Sequence, residues 1–344
     1  MTELAAALQA LGLPPPPAAS YGREQAVLNW CDQGALLAEF ARQRGLVIEH
    51  WLQDAGVQPG GLLSPAQLLA LLAPLLRLGA DAPFVLGQLW WPGHYGLASQ
   101  ALRQSAHVLQ AAERLARRAG RLSPLLTPRV LRQEGRLWLL FTEACGLPAA
   151  QRAALVDLHL AAFVGFCHWR GGQRLPWRAH FNRSRPRDPG AQLVWLGPEL
   201  QFDCQVDALS LPLDCARKPW AAEGGAELAL AALEAGADAQ ALRRGWLAGL
   251  SEQLLAQLCA GAPSLETLAR SQGVSPATLK RQLAAQGTHY QAELDQLRAL
   301  VAAALMKLHG WSPERVGAAL GFGDASNFRK SFRRWTGLSP RAWA

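Results

Sequence analysis

The chain has 344 residues, half of them apolar, which is enough for two domains with cores of their own. A net charge of +8 and a pI near 9.6 favour a polyanionic partner. The six cysteines Cys31, Cys145, Cys167, Cys204, Cys215 and Cys259 form no C-x-x-C pair, so neither a zinc site nor a disulfide framework is indicated; the N-terminus has no basic n-region and no uninterrupted apolar run reaches about eighteen residues, which points to a cytoplasmic protein.

Residues 1–20 are a tail ending in Pro14-Pro15-Pro16-Pro17, which cannot be helical. Residues 21–220 then read as one α+β domain. Leu36, Leu37, Phe40 and Ala41 share a helical face, and Ser64-Pro65 starts a second helix through Leu68, Leu69, Leu71, Leu72, Leu75 and Leu76. A third helix is predicted from Leu102 to Gly120, with Ala106, Leu109 and Leu115 inward. Val130-Leu131-Arg132 and Arg136 to Phe141 form a hairpin around Glu134-Gly135, and the alternation in Trp177 to Phe181 gives another strand. Ala153 to Trp169 is an apolar helix.

This region is rich in aromatic and imidazole groups, and thirteen tryptophans are many for the length. Such walls serve a planar or long apolar small molecule, with His94, Tyr95, Trp91 and Trp138 as candidate contacts. Core packing is the competing role for every one of these rings. His159 and His168 are nine residues apart, which is not metal-ligand spacing, and no cofactor is expected.

Residues 221–244, rich in Ala, Gly and Glu and broken at Gly236, are the predicted linker. From 245 to 344 there are eleven Lys and Arg against six Asp and Glu, so most of the positive excess lies here. Ser264 caps a helix through Leu265, Leu268 and Ala269; Gln272-Gly273-Val274 turns; Ser275-Pro276 starts a helix through Leu279 and Leu283. Its outward residues are Ala277, Thr278, Lys280 and Arg281. Tyr290, Leu294, Leu297, Leu300, Val301, Ala304, Leu305 and Leu308 keep a helical period, which predicts one long connecting helix. Ser312-Pro313-Glu314 then opens a helix through Val316, Ala319 and Leu320, Gly321-Phe322-Gly323 breaks it, and Asp324 or Ser326 caps the last one. That helix turns Phe328, Phe332 and Trp335 to the core and Asn327, Lys330, Arg333 and Arg334 outward. Two helix-turn-helix units with basic outer faces are how a protein puts side chains into successive major grooves.

The motifs Ser275-Pro276-x-Thr278-Leu279-x-Arg281-x-Leu283 and Leu320-Gly321-Phe322-x-Asp324-x-Ser326-x-Phe328-x-x-x-Phe332-Arg333-Arg334-Trp335-x-Gly337-x-Ser339-Pro340 resemble the DNA-binding domain of the AraC/XylS family of transcription regulators. Residues 20–220 resemble the arabinose-binding-like effector domain of one branch of that family, through Gly93-x-x-Gly96-Leu97 and the segment from Phe202 to Pro219. The resemblance implies base contacts by Ala277, Lys280 and Arg281 in one groove and by Ala325, Ser326, Asn327 and Lys330 in the next, with phosphate contacts by Thr278, Arg333 and Arg334. Lys330 departs from the arginine usual there, keeping the charge and losing the two-pronged fork. It further implies an activator that works with double-stranded DNA and RNA polymerase under a small-molecule effector, and leaves a homodimer open. The competing expectations are a repressor without a ligand, whose first domain only dimerises, and a DNA-repair enzyme with a nucleophilic cysteine. Glu143 beside Cys145 and Asp214 beside Cys215 disfavour the thiolate that such an enzyme needs, so the chain is not expected to be an enzyme.

Overall fold

A computed structural model describes residues 20–30, 32–91, 99, 102–221, 244–261, 263–336 and 339–340. The predicted proline tail, most of the linker and the loop carrying His94 and Tyr95 lie outside those residues. Two compact units divide the chain, one made of Pro17–Val130 and Gly135–Trp246 and the other built on Leu247–Ala344.

The first unit is α+β. Its strands are β1 (Ser20–Tyr21), β2 (Leu28–Asn29), β3 (Leu62–Leu63), β4 (Leu126–Gln133), β5 (Arg136–Glu143), β6 (Arg178–His180), β7 (Glu199–Gln201), β8 (Asp207–Pro212) and β9 (Arg244–Gly245). Its helices are α1 (Gly34–Gln43), α2 (Glu49–Asp54), α3 (Pro65–Leu75), α4 (Ala82–Trp90), α5 (Val108–Arg117), α6 (Ala119–Leu122), α7 (Ala149–Gly171), α8 (Gly190–Leu196) and α9 (Leu213–Ala216). Five strands form the main sheet in the order β4-β5-β8-β6-β7. β8 runs antiparallel to both β5 and β6, whereas β6 and β7 are parallel. The β4–β5 hairpin turns at Glu134 (φ 49°) and Gly135 (φ 67°), both left-handed, as a two-residue primed turn requires.

Local chemistry fixes the helix ends. Ser64 and Gln67 form a reciprocal capping box, with Gln67 N donating to Ser64 Oγ at 3.2 Å and Ser64 N donating to Gln67 Oε1 at 2.9 Å. The helix predicted from Leu102 begins later than expected, at Val108. His107 is extended and accepts the Gln110 N–H on Nδ1 at 3.1 Å, so it is the cap and not an interior residue. Ala106 is consequently exposed, and the buried face is Val108, Leu109, Ala111, Ala112 and Leu115.

The long helix α7 is the centre of this core. Length and composition alone would let it cross a bilayer, yet 67% of its most apolar window is buried inside the protein. Gly87 of α4 lets α4 pack at backbone distance, because a Cβ there would lie 2.5 Å from Leu158 O of α7. Leu137, Leu139, Leu209, Leu211 and Ala179 share one sheet face and are fully buried. Phe141 of β5 meets His159 of α7 with ring centroids 6.0 Å apart.

Apart from Leu131–Glu134 of the β4–β5 hairpin, which cluster with it, the second unit is built of helices: α10 (Trp246–Cys259), α11 (Leu265–Ser271), α12 (Pro276–Ala285), α13 (Tyr290–His309), α14 (Pro313–Ala319) and α15 (Ala325–Thr336). Ser264, Ser275 and Ser312 cap α11, α12 and α14 through side-chain oxygens, as the sequence predicts. α13 runs unbroken for 20 residues and stops at Gly310, whose φ of 61° suits a left-handed cap. Phe328 and Phe332 are fully buried, and Phe322 packs on Phe328 and Trp335 at 5.6 and 5.8 Å.

Candidate functional site

The two outward helices, α12 and α15, are held by caps at their N-termini, the ends that face a groove in helix-turn-helix docking. Ser275 Oγ accepts the Thr278 N–H at 3.1 Å and lies 2.9 Å from Thr278 Oγ1, so the Thr278 hydroxyl is already engaged in the cap. Ala277, Lys280 and Arg281 are exposed on the same helix, with Leu279 and Leu283 buried behind them.

On α15 the cap is Asp324, resolving the choice between it and Ser326. Asp324 Oδ1 accepts the Asn327 N–H at 2.7 Å, and Asp324 Oδ2 accepts from Asn327 Nδ2 at 2.6 Å. The Asn327 amide therefore has its nitrogen turned to the cap, leaving its carbonyl oxygen as the outward group. Ser326, Asn327, Lys330, Arg333 and Arg334 are exposed, and Ala325 is half-buried. Arg334 Nη2 donates to Asp295 Oδ2 of α13 at 2.9 Å, and Arg329 lies 3.8 Å from Glu314 of α14. All ten predicted contact residues thus sit on the two outer helices, but the side chains of Thr278, Asn327 and Arg334 carry intramolecular bonds that sequence reasoning missed.

In the first unit, Trp91 is 1% exposed and donates its indole N–H to Leu122 O at 2.8 Å, which is a packing position. Trp138 lies on β5 with its ring 4.7 Å from that of His180 on β6. Burial, with the nearby Arg178 and Arg136 charges, pushes His180 down to about 4, so it is neutral at physiological pH. His159 is fully buried and is lowered to about 4 by burial, with Nδ1 2.8 Å from Leu155 O. No cluster of metal-ligating side chains occurs among the described residues.

The model of the arabinose-binding domain of the AraC transcription regulator matches residues 45–220, just over half of the chain. The chain belongs to the AraC transcription regulators. A helix-turn-helix domain model matches residues 268–344. Among curated proteins, the chain is 28% identical over 261 residues to the ornithine utilization regulator of Pseudomonas aeruginosa, covering 74% of this chain and 76% of that one. It is 36% identical over 77 residues to the regulator VqsM of the same species, covering 22% and 24% of the two chains. Among solved structures, the regulator CdpR of P. aeruginosa is similar with a TM-score of 0.46 and 20% identity, covering 90% of this chain and 97% of that one.

As an AraC regulator the chain joins an N-terminal ligand-binding domain to a C-terminal helix-turn-helix DNA-binding domain. Its relatives are transcription regulators, and burial pushes the Cys145 thiol up to about 12 and raises Cys167 well above the ordinary thiol range, which disfavours the thiolate at these two positions. A polar network in the N-terminal domain escaped sequence reasoning. Arg183 Nη2 and Gln192 Nε2 donate to the buried Asp157 at 2.5 and 3.2 Å, and Arg152 bridges Glu143 and Asp207. Its members are spread over residues 143 to 207, so no local motif could have revealed it.

Proposed function

We propose that this AraC regulator is a cytoplasmic activator that reads two successive major grooves of double-stranded DNA and responds to a small-molecule effector in its N-terminal domain. Ala277, Lys280 and Arg281 contact bases in one groove, and Ala325, Ser326, Asn327 and Lys330 in the next. Thr278, Arg333 and Arg334 contact phosphates. RNA polymerase as protein partner and a homodimer as assembly follow from the family reading.

The observation that carries this proposal is α13. At 20 residues without a break it is about 30 Å long at 1.5 Å per residue. That length is close to the roughly 34 Å between successive major grooves on one face of the duplex. α13 packs against both α14 and α15, so the second reading helix is anchored to a rigid connector. Effector control then requires a ligand that binds one arrangement of the domains better than another.

Selection of binding sites from random DNA, followed by footprinting, tests the reading. The expected outcome is two half-sites about one helical turn apart, with Lys280→Ala disturbing one and Lys330→Ala the other. Protection of a single half-site would sink the two-groove assignment.

A further inference from the structure

Strand pairing places a polar, aromatic row on the face of the main sheet opposite Leu137, Leu139 and Leu209. Trp138 stands across from Ser210, and Ser210 across from Arg178; one step along, Leu140, Ala208 and His180 are aligned. Arg136 lies two residues before Trp138 and so shares its face. The middle of the row is small, made of Ser210 and Ala208, both fully buried, and the larger groups flank it. Trp138 and Arg178 are two strand spacings apart, about 10 Å.

The hydrogen bonds inside this row are ordered. Arg136 Nη2 donates to Ser210 Oγ at 3.0 Å, so the Ser210 hydroxyl proton is free to point at His180 Nε2, 3.1 Å away. A neutral His180 can accept it. What remains without a partner among the described residues is all of one kind: the buried nitrogens Trp138 Nε1, Arg136 Nε and Arg178 Nε, each of them a donor. Arg178 pairs with Glu199 at 3.3 Å through a half-exposed guanidinium, whereas Arg136 has no carboxylate partner among the described residues. The two guanidiniums are close enough for the Arg178 charge to help lower the Arg136 pKa, after the larger effect of burial.

Unmet donors beside two like charges call for a group that only accepts and carries negative charge. A planar acid matches the guanidinium fork, and the indole of Trp138 offers a flat apolar wall beside it. We propose that this sheet face binds a small organic carboxylate, the acid held by Arg136 and Arg178 and the body resting on Trp138. Ser210 and His180 are positioning residues that fix the Arg136 head. This deepens the effector reading given above and rests on it for its biological meaning.

Calorimetric titration of the full-length protein with benzoate, glutarate and inorganic phosphate at millimolar concentration tests the site. At least one carboxylate binds, more tightly than phosphate, and Arg136→Gln weakens it by about ten- to a hundredfold, the usual cost of a lost charged hydrogen bond. Arg136→Lys, which keeps the charge and loses the fork, weakens binding by less, and the exposed Arg217→Gln leaves it unchanged. Retained sequence-specific DNA binding shows that each variant is folded. Failure of both carboxylates to bind, binding that survives Arg136→Gln, or phosphate binding as tightly as carboxylate would each overturn the proposal. The two readings fail separately. A carboxylate that binds here without altering DNA affinity removes effector control and leaves the site; a DNA response to a metabolite with no acid group, without carboxylate binding, does the reverse.

Discussion

Arg334 Nη2 of α15 donates to Asp295 Oδ2 of the long helix α13 at 2.9 Å. The Arg334 side chain is 65% exposed, so the pair adds at most about 1 kcal/mol to stability. On the proposed phosphate role of Arg334, the pair's larger effect is to hold a guanidinium for which DNA would compete.

Two variants on that pair should therefore move DNA affinity in opposite directions. Arg334→Ala is expected to weaken binding to all sequences alike and to make the salt slope shallower by about one unit. Asp295→Ala frees the guanidinium and should strengthen non-specific binding and steepen the slope. Fluorescence anisotropy over a series of KCl concentrations reads both. A change in which site is preferred would mean that Arg334 reads a base.

Arg281 is exposed on α12 and its side chain bonds to nothing among the described residues, so its fork is open to a guanine edge. Arg281→Ala should relax selection at one base position and cost about 1–3 kcal/mol. An unchanged sequence preference in a selection experiment would reject the assignment. Lys330→Arg is the complementary change, since restoring a fork on α15 should sharpen selection in the second half-site.

Where chemistry is local, the sequence announced it. Three serine caps, the Glu134-Gly135 turn and the unbroken period from Tyr290 onward needed only neighbours within a few residues, and each recurs in the structure. What was hidden depends on distance. The central strand β8 is only six residues, its alternation is confined to Leu209-Ser210-Leu211, and its partners β5 and β6 lie far from it in sequence. The start of α5 moved because His107 caps with a ring nitrogen, an acceptor that the usual cap residues do not suggest. Trp91 and Trp138 look alike in sequence, but one indole N–H is satisfied inside the core and the other is not.

Gly87 gives a prediction for the N-terminal core. A Cβ there would meet Leu158 O at 2.5 Å and Ala161 Cβ at 3.1 Å, and a backbone carbonyl inside α7 cannot swing aside as a flexible side chain can. Gly87→Ala should destabilise this domain by about 1–3 kcal/mol, as overpacking does, despite the better helix propensity of alanine. Gly22→Ala is the control, because nothing lies within 4 Å of its added methyl. Denaturant unfolding followed by tryptophan fluorescence compares them, and equal midpoints would show that α4 and α7 can separate at little cost.

His159 sets a pH dependence whose sign follows from its burial. The folded state holds it near 4, below the ordinary 6.5, with no acid among the described residues at hydrogen-bonding distance and Trp90, Trp91 and Phe141 around the ring. As pH falls below 6.5 the unfolded chain gains a proton that the folded chain refuses, so stability is lost down to about pH 4. His180, lowered in the same way, acts in the same direction. Asp157 opposes them, because burial raises it to about 6 and the folded state takes up its proton first. Removing one histidine separates these contributions. His159→Leu should flatten the fall in stability between about pH 7 and pH 5 by about 2 kcal/mol, from the 1.36 kcal/mol carried by each pKa unit. Urea unfolding of the variant and the parent at both pH values measures the difference, and parallel losses would show that His159 finds a charged partner or water when it is protonated.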